Sequence, residues 1–391
     1  MKKYFALLSS AALLLFLSLT GFECASTEMT SARVYIQNKN YDKALEVLKK
    51  EVAKNPKSDE GYYTMGLIYA ERENIDSMVI AYDKARAISN KYEKDIKTSR
   101  KAAWGNSFNK AIGFFNKALN PKITKDSATA YYEKSASYFQ NAIKAEPDSA
   151  DTYKNLAYVY FNLGKNDEAI APLSKLISLK KSVDGYRHLG QIYYNKGTEA
   201  KSSYEKTKVA ADSVTAYENY NKAIEVLEEG RKNNPGDQDI LVLLSNAYIS
   251  ANKADVALST FQDGVKSNPE NKYYRYNLAV LLLGKNQFQD AIEQFNAALK
   301  IDPDYLNAVY NLAVCYVKWG VQLQKQADEA GKEDPTIKEK YRLALPFLES
   351  YVQKKQDDAA TWDLLGKVYS VLNMTQDANK AFEKADNIRK K

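Results

Sequence analysis

Few side chains in this 391-residue chain could carry covalent or proton-transfer chemistry. There is one histidine, His188, preceded by Arg187, and there are two cysteines, Cys24 and Cys315. A general-base mechanism at His188 would need an orienting acid and a nucleophile at matched positions, and nothing in the sequence supplies that set. One histidine and two cysteines also fall short of the ligand sets that hold zinc. The expectation is a protein with no catalytic residues, no metal and no cofactor. Cys315 reads as a small packed thiol, and Cys24 as the cysteine whose setting points to modification.

Cys24 follows MKKYFALLSSAALLLFLS, where two lysines precede a run from Phe5 to Leu19 without a charge. This is the basic and apolar composition of an export signal. The run is shorter than the roughly 20 apolar residues of a membrane span, so an uncleaved anchor ranks second. Residues 1–23 are read as a signal peptide and residues 24–391 as soluble and exported. Two outcomes fit the junction. Cys24 becomes the acylated first residue of an outer-membrane-associated lipoprotein, favoured by its place after the apolar run and by the small polar residues behind it. Alternatively cleavage falls near Ala25 or Ser26 and the protein is periplasmic, since Gly21, Phe22 and Glu23 depart from the usual lipid-attachment box. One acyl chain anchors marginally and several anchor firmly.

The formal net charge is +7, carried mostly by lysines spread singly and interleaved with Asp and Glu. Phosphate tracking needs clustered, arginine-rich charge, so nucleic acid is excluded as a partner. The charges read instead as solvated helix faces.

Self-similarity organises everything after the signal. Near the C-terminus, Trp362, Leu365, Gly366 and Tyr369 are followed by Ala378, Phe382 and Ala385. A second copy reads Tyr186, Leu189, Gly190, Tyr193, then Ala223, Leu227 and Pro235. The same skeleton recurs at Tyr62, Gly66, Tyr69, Tyr82 and Ala85, and at Leu278, Ala279, Ala291, Phe295, Ala298 and Pro303. On these residues the chain resembles the tetratricopeptide repeat family over essentially all of its length beyond the signal. The resemblance implies an all-α solenoid, a right-handed superhelix of about nine helix-turn-helix repeats. Their spans are about 25–58, 59–92, 93–149, 150–182, 183–237, 238–271, 272–305, 306–358 and 359–391. The spacing has a physical reason: small residues on the first helix admit a large one from the second, and stacking buries faces that no single hairpin can bury.

The closing positions Pro56, Asn90, Pro147, Lys181, Pro235, Pro269, Pro303 and Gln356 are separated by 34, 57, 34, 54, 34, 34 and 53 residues. Three repeats are therefore lengthened between their two helices, with stops at NPKITKDSATA, VAADSVTA and EAGKEDPT, where Asp-Ser or Asp-Pro supplies cap and first-turn chemistry. Both helices are expected to continue for about 10 residues, roughly 15 Å, from one edge of the solenoid. Such an edge serves docking or simply extends the core. Pro172 and Pro346 lie inside second helices and are expected to bend them.

By the resemblance, positions 5 and 9 of each repeat face the groove. The candidate groove residues are Tyr63, Lys154, Tyr158, Arg187, Gln191, Asn246, Tyr276 and Tyr310. They make a tyrosine-rich groove with some basic character near the middle, suited to protein or peptide recognition. The family's carboxylate clamp is absent, because Lys154 meets Tyr158 and Asn246 follows Val242. The resulting expectation is a non-catalytic scaffold or adaptor of the bacterial cell envelope, reaching the membrane through Cys24 if lipidated. The competing reading is a periplasmic solute or glycan binder using groove tyrosines. Of its three tryptophans, Trp362 packs and Trp104 and Trp319 fall in lengthened repeats, which weighs against that alternative.

Overall fold

The computed structural model describes residues 26–390, so Cys24 and the apolar run before it lie outside the described residues. Among the described residues there are eighteen α-helices and no strand. In hairpin order they are α1 (Thr27–Gln37) with α2 (Tyr41–Lys54), α3 (Asp59–Glu71) with α4 (Ile75–Ile88), and α5 (Glu93–Ala118) with α6 (Lys125–Ala145). Then come α7 (Ala150–Asn162) with α8 (Asn166–Lys180), α9 (Val183–Thr207) with α10 (Ala210–Asn233), and α11 (Gln238–Ser250) with α12 (Ala254–Ser267). The last three are α13 (Lys272–Gly284) with α14 (Phe288–Ile301), α15 (Leu306–Ala330) with α16 (Thr336–Lys354), and α17 (Ala359–Val371) with α18 (Thr375–Arg389). Contacts divide the chain into one unit ending at Gly185 and another beginning at Tyr186. No described helix is long and apolar enough to cross a membrane.

Local chemistry sets the helix ends. Ser26, Asn40, Ser58, Asn74, Asp237, Asn271 and Asp358 each accept a first-turn backbone N–H on the side chain. The short hairpin turns share one geometry. Lys39, Glu73, Gly164, Asn252, Asn286 and Asn373 each have positive φ. The next residue's N–H returns to the carbonyl five back, as in Asn40 to Tyr35 (2.8 Å) and Asn74 to Tyr69 (2.9 Å). These are Schellman turns, in which an ordinary side chain mostly stands where glycine is cheapest. Lys39 is exposed, with φ 55°, and its replacement by glycine is expected to stabilise the protein by about 0.5 kcal/mol, relief of the left-handed penalty outweighing the entropy of glycine. Urea titration checks this. Glu73→Gly should bring no gain, because Glu73 holds Lys110 at 2.5 Å.

In six of the hairpins the seam sets a small residue one turn before a large one on the second helix. Ala44, Ala169, Ala223, Ala257, Ala291 and Ala344 are fully buried, as are or nearly are Leu48, Leu173, Leu227, Phe261, Phe295 and Leu348 one turn later. A Cβ on Gly190 would meet Leu227 at 2.6 Å, which shows how close that pair of helices runs.

In the lengthened hairpins the first helices run to 26, 25 and 25 residues, against 13 in α3, α7 and α11. Their second helices reach 21, 24 and only 19 residues. The extension is thus unequal in the last of them, where Gly331 ends α15 at φ 63° and Pro335 caps α16. The stop chemistry also differs from the expectation at NPKITKDSATA: the cap is Thr124, which accepts from Ser127, while Asp126 sits in the first turn. At the second stop Asp212 is a first-turn residue that accepts from Ser203 (2.6 Å) and Thr207 (3.3 Å), tying the two arms together. Pro172 and Pro346 stand inside continuous helices α8 and α16. Lacking an N–H, each leaves one carbonyl of the preceding turn without its helical donor.

Candidate partner-binding surface

First-helix positions that carry the candidate groove residues behave differently from one another. In the first unit, Tyr63 is 8% exposed and stacks on Tyr92, with centroids 4.2 Å apart and planes 7° apart. Burial, above all, pushes its hydroxyl pKa up. Tyr63 therefore packs rather than offering a groove contact, because Tyr92 at the foot of the first lengthened hairpin covers it. Lys154 donates to Asp184 at 2.5 Å and lies 5.7 Å from the centroid of Tyr158. The hydrogen bond to Asp184 is the main cause that raises its pKa. Tyr158 is half-buried.

In the second unit, Arg187 grips Asp237 through two bonds, Nε to Oδ1 at 3.1 Å and Nη2 to Oδ2 at 2.7 Å, and reaches Asp239 at 3.2 Å. Gln191 donates to Asn195 at 2.6 Å, and Asn246 is exposed. Tyr276 is half-buried, with its hydroxyl accepting from Asn311 at 3.0 Å and its ring 5.1 Å from Tyr305. Tyr310 is half-buried with its ring 5.1 Å from Tyr351. Nearby, Lys272 is paired with Asp302 and sits over Tyr273 (5.0 Å) and Tyr305 (5.1 Å).

The basic character expected near the middle is thus compensated inside the chain. Lys154 and Arg187 each answer an acid at the start of the following repeat, so neither presents an uncommitted positive charge. What the first helices offer a partner is tyrosine surface, held in place by ring contacts and hydrogen bonds. Among the described residues no group of three or more His, Cys, Asp or Glu side chains is placed to hold a metal ion.

Cys315 is fully buried, its Sγ 3.7 Å from the Phe288 carbonyl. Burial pushes the thiol up to about 12. The neutral thiol is the form the fold favours, so its contribution to stability is complete below the ordinary thiol pKa and is lost as pH rises from there toward the raised one. Iodoacetamide at pH 8 should leave Cys315 unmodified in the native protein and alkylate it after denaturation, read by peptide mass spectrometry, with labelling slowed at least about 100-fold. Rapid native labelling would contradict its place in the core.

Sequence reasoning missed a second surface, on the first lengthened hairpin. Phe114 stacks with Tyr138 (5.5 Å) and Tyr131 (6.2 Å), and Lys117 and Lys134 lie over its ring. The readable signal was the i, i+4, i+7 spacing of Lys110, Phe114 and Lys117 within the inserted stretch.

Two stretches of the chain, residues 242–306 and 138–171, match family models described as tetratricopeptide repeat. No curated protein matches the chain. Solved structures with similar architecture include YrrB, described as a TPR protein with an unusual peptide-binding site, at 21% identity over 58% of this chain and 96% of that one, TM-score 0.33. A tetratricopeptide repeat protein from Parabacteroides merdae aligns at 16% identity over 73% of this chain and 93% of its own, TM-score 0.43. Yeast Tom70 aligns at 13% identity over 92% and 91%, TM-score 0.37. The fold class is the all-α tetratricopeptide-repeat solenoid.

Proposed function

We propose that the protein is an exported, non-catalytic scaffold or adaptor of the bacterial cell envelope. It binds protein or peptide partners through the tyrosine-bearing faces of its first helices and through its lengthened hairpins. A lipid on Cys24 holds it at the membrane; in the unlipidated form it is periplasmic. The observation that carries this reading is the set of half-buried tyrosines, Tyr276 and Tyr310 foremost, fixed by ring packing and hydrogen bonds while neighbouring charges are neutralised within the chain. Preset aromatic surface of this kind recognises polypeptide at low entropic cost.

The glycan-binding alternative needs open ring faces for sugar stacking. Lysine ammonium groups lie over many of the rings, including Tyr158 (5.7 Å), Tyr273 (5.0 Å) and Trp319 (4.2 Å), which disfavours it. The test is affinity purification of the tagged full chain from its native envelope, beside a Tyr276→Ala/Tyr310→Ala variant. A stoichiometric protein that is lost with the variant supports the scaffold. Retained glycan without protein sinks it. Mass spectrometry of the mature N-terminus decides the fate of Cys24.

A further inference from the structure

The first lengthened hairpin rises past its predecessor, and the face it uses to pack does not stop where that predecessor ends. On α5, the stripe turned toward α3 and α4 includes Ser99, bonded to the Tyr82 hydroxyl (2.6 Å), and Arg100, paired with Asp83 (3.1 Å). About three turns on, Lys110 pairs with Glu73, at 2.5 Å, in the turn that joins α3 to α4. On α6 the matching stripe includes Lys144, paired with Asp76 at 2.7 Å. Beyond Glu73 the shorter hairpin has turned back. The same stripes continue as Phe114 and Lys117 on α5 and as Tyr131, Lys134 and Tyr138 on α6. From Lys110 to the end of α5 the overhang is about 12 Å long at the helical rise.

The ring, ion-pair and hydrogen-bond partners of those five side chains, among the described residues, all lie on α5 and α6. Phe114 is the centre: Tyr138 stacks on it within 9° of parallel, and Lys117 and Lys134 stand 5.2 and 5.7 Å from its centroid. Lys110 lies 5.6 Å from the ring of Tyr138. Lys110 has a carboxylate in Glu73, whereas Lys117 and Lys134 are exposed and form no ion pair with a described residue. Both ammonium groups are solvent-exposed, and such a group over a ring at the surface is only weakly held, so both remain available to a carboxylate.

We propose that this overhanging face docks an acidic amphipathic helix from a partner protein, in the place that a longer α3–α4 hairpin would fill. The inference rests on the scaffold reading and names the chemistry of one partner. Two parallel stripes of side chains on a helical pair form a groove suited to a third helix, whose apolar stripe lies on the three rings. Glutamates flanking that stripe meet Lys117 and Lys134. An anionic bilayer fits less well, because insertion needs apolar side chains that stand proud of the cations, and here the rings are half-buried beneath them.

The test uses the full chain and a fluorescent helix-forming peptide with leucines at i, i+3, i+4 and i+7 flanked by glutamates. Controls are the same peptide with lysine for glutamate, phosphatidylglycerol/phosphatidylcholine vesicles, and sedimentation of the protein alone. The acidic peptide should bind saturably and more weakly as salt rises. Lys117→Glu/Lys134→Glu should weaken it about tenfold or more with the thermal midpoint unchanged, since both side chains are exposed. Phe114→Ala should weaken it as well. No binding of the acidic peptide, equal binding by the charge-reversed variant, or equal binding of the lysine peptide overturns the proposal. Charge-dependent binding to vesicles in place of the peptide, or self-association abolished by the same variant, overturns it in favour of a bilayer or a second copy. A native partner lost with Tyr276→Ala/Tyr310→Ala but kept by the charge-reversed variant overturns it and leaves the scaffold standing. Peptide binding with no native protein partner does the reverse.

Discussion

Replacing Gly66 by alanine is expected to destabilise the protein by about 2 to 3 kcal/mol, although alanine is the better helix former by about 1 kcal/mol. The added Cβ would sit 2.3 Å from Cε1 and 2.4 Å from Cδ1 of Tyr82. That ring cannot step aside: Tyr82 has no exposed surface, and its hydroxyl is held by Ser99 at 2.6 Å. The clash is therefore relieved only by parting α3 from α4, at the expense of the seam they share with Met78 and Ala85. Trimming the ring should restore tolerance. In a Tyr82→Leu background the same glycine substitution should cost at least about 1 kcal/mol less. Chemical denaturation of the four proteins of this cycle gives the coupling directly, and strict additivity would show that the close approach is not what requires glycine.

Asp237→Ala is the second large effect, about 2 to 3 kcal/mol. One carboxylate does two jobs: Oδ1 accepts the Ile240 N–H at 2.9 Å and so caps α11, and both oxygens bind the Arg187 guanidinium. The two jobs can be separated. Asn keeps an acceptor for the cap and loses the charge, so Asp237→Asn should cost about half as much as alanine. Arg187→Gln should resemble Asp237→Asn in stability. If Arg187→Gln were neutral in stability yet abolished partner binding, Arg187 would be a recognition residue after all and the ion pair incidental.

The helices and their hairpin pairing were legible because the information is local. Small-to-large alternation such as Ala291 with Phe295, and cap residues such as Asn74 and Asp358, act within a few residues of where they are read. The lengthened helices were legible for the same reason, up to the choice between Thr124 and Asp126 as cap, two residues apart. The surface was harder. Lys154 finds Asp184 30 positions on, and Arg187 finds Asp237 50 positions on. Both separations are one repeat minus one helical turn, in an ordinary and a lengthened repeat respectively. Such a pairing rule becomes visible only when the period is treated as a distance in space, and without it the two cations look like groove charge. The burial of Tyr63 is hidden for the same reason, since the ring that covers it, Tyr92, belongs to the next repeat.

The three long hairpins also differ from the rest in how they must open. Where a repeat is flanked on both sides, exchanging an amide hydrogen requires parting it from its neighbours, and the cost approaches that of unfolding the unit. Past the last neighbour, an arm is held only by its own two helices. In the second hairpin, Tyr220 packs against Gly197 and Tyr194 near the base, and farther out Asp212 accepts from Ser203 and Thr207. Amides around Lys208 should therefore exchange through fraying of a single hairpin, orders of magnitude faster than those around Leu227. A protease should nick there first, leaving two fragments that stay bound to each other.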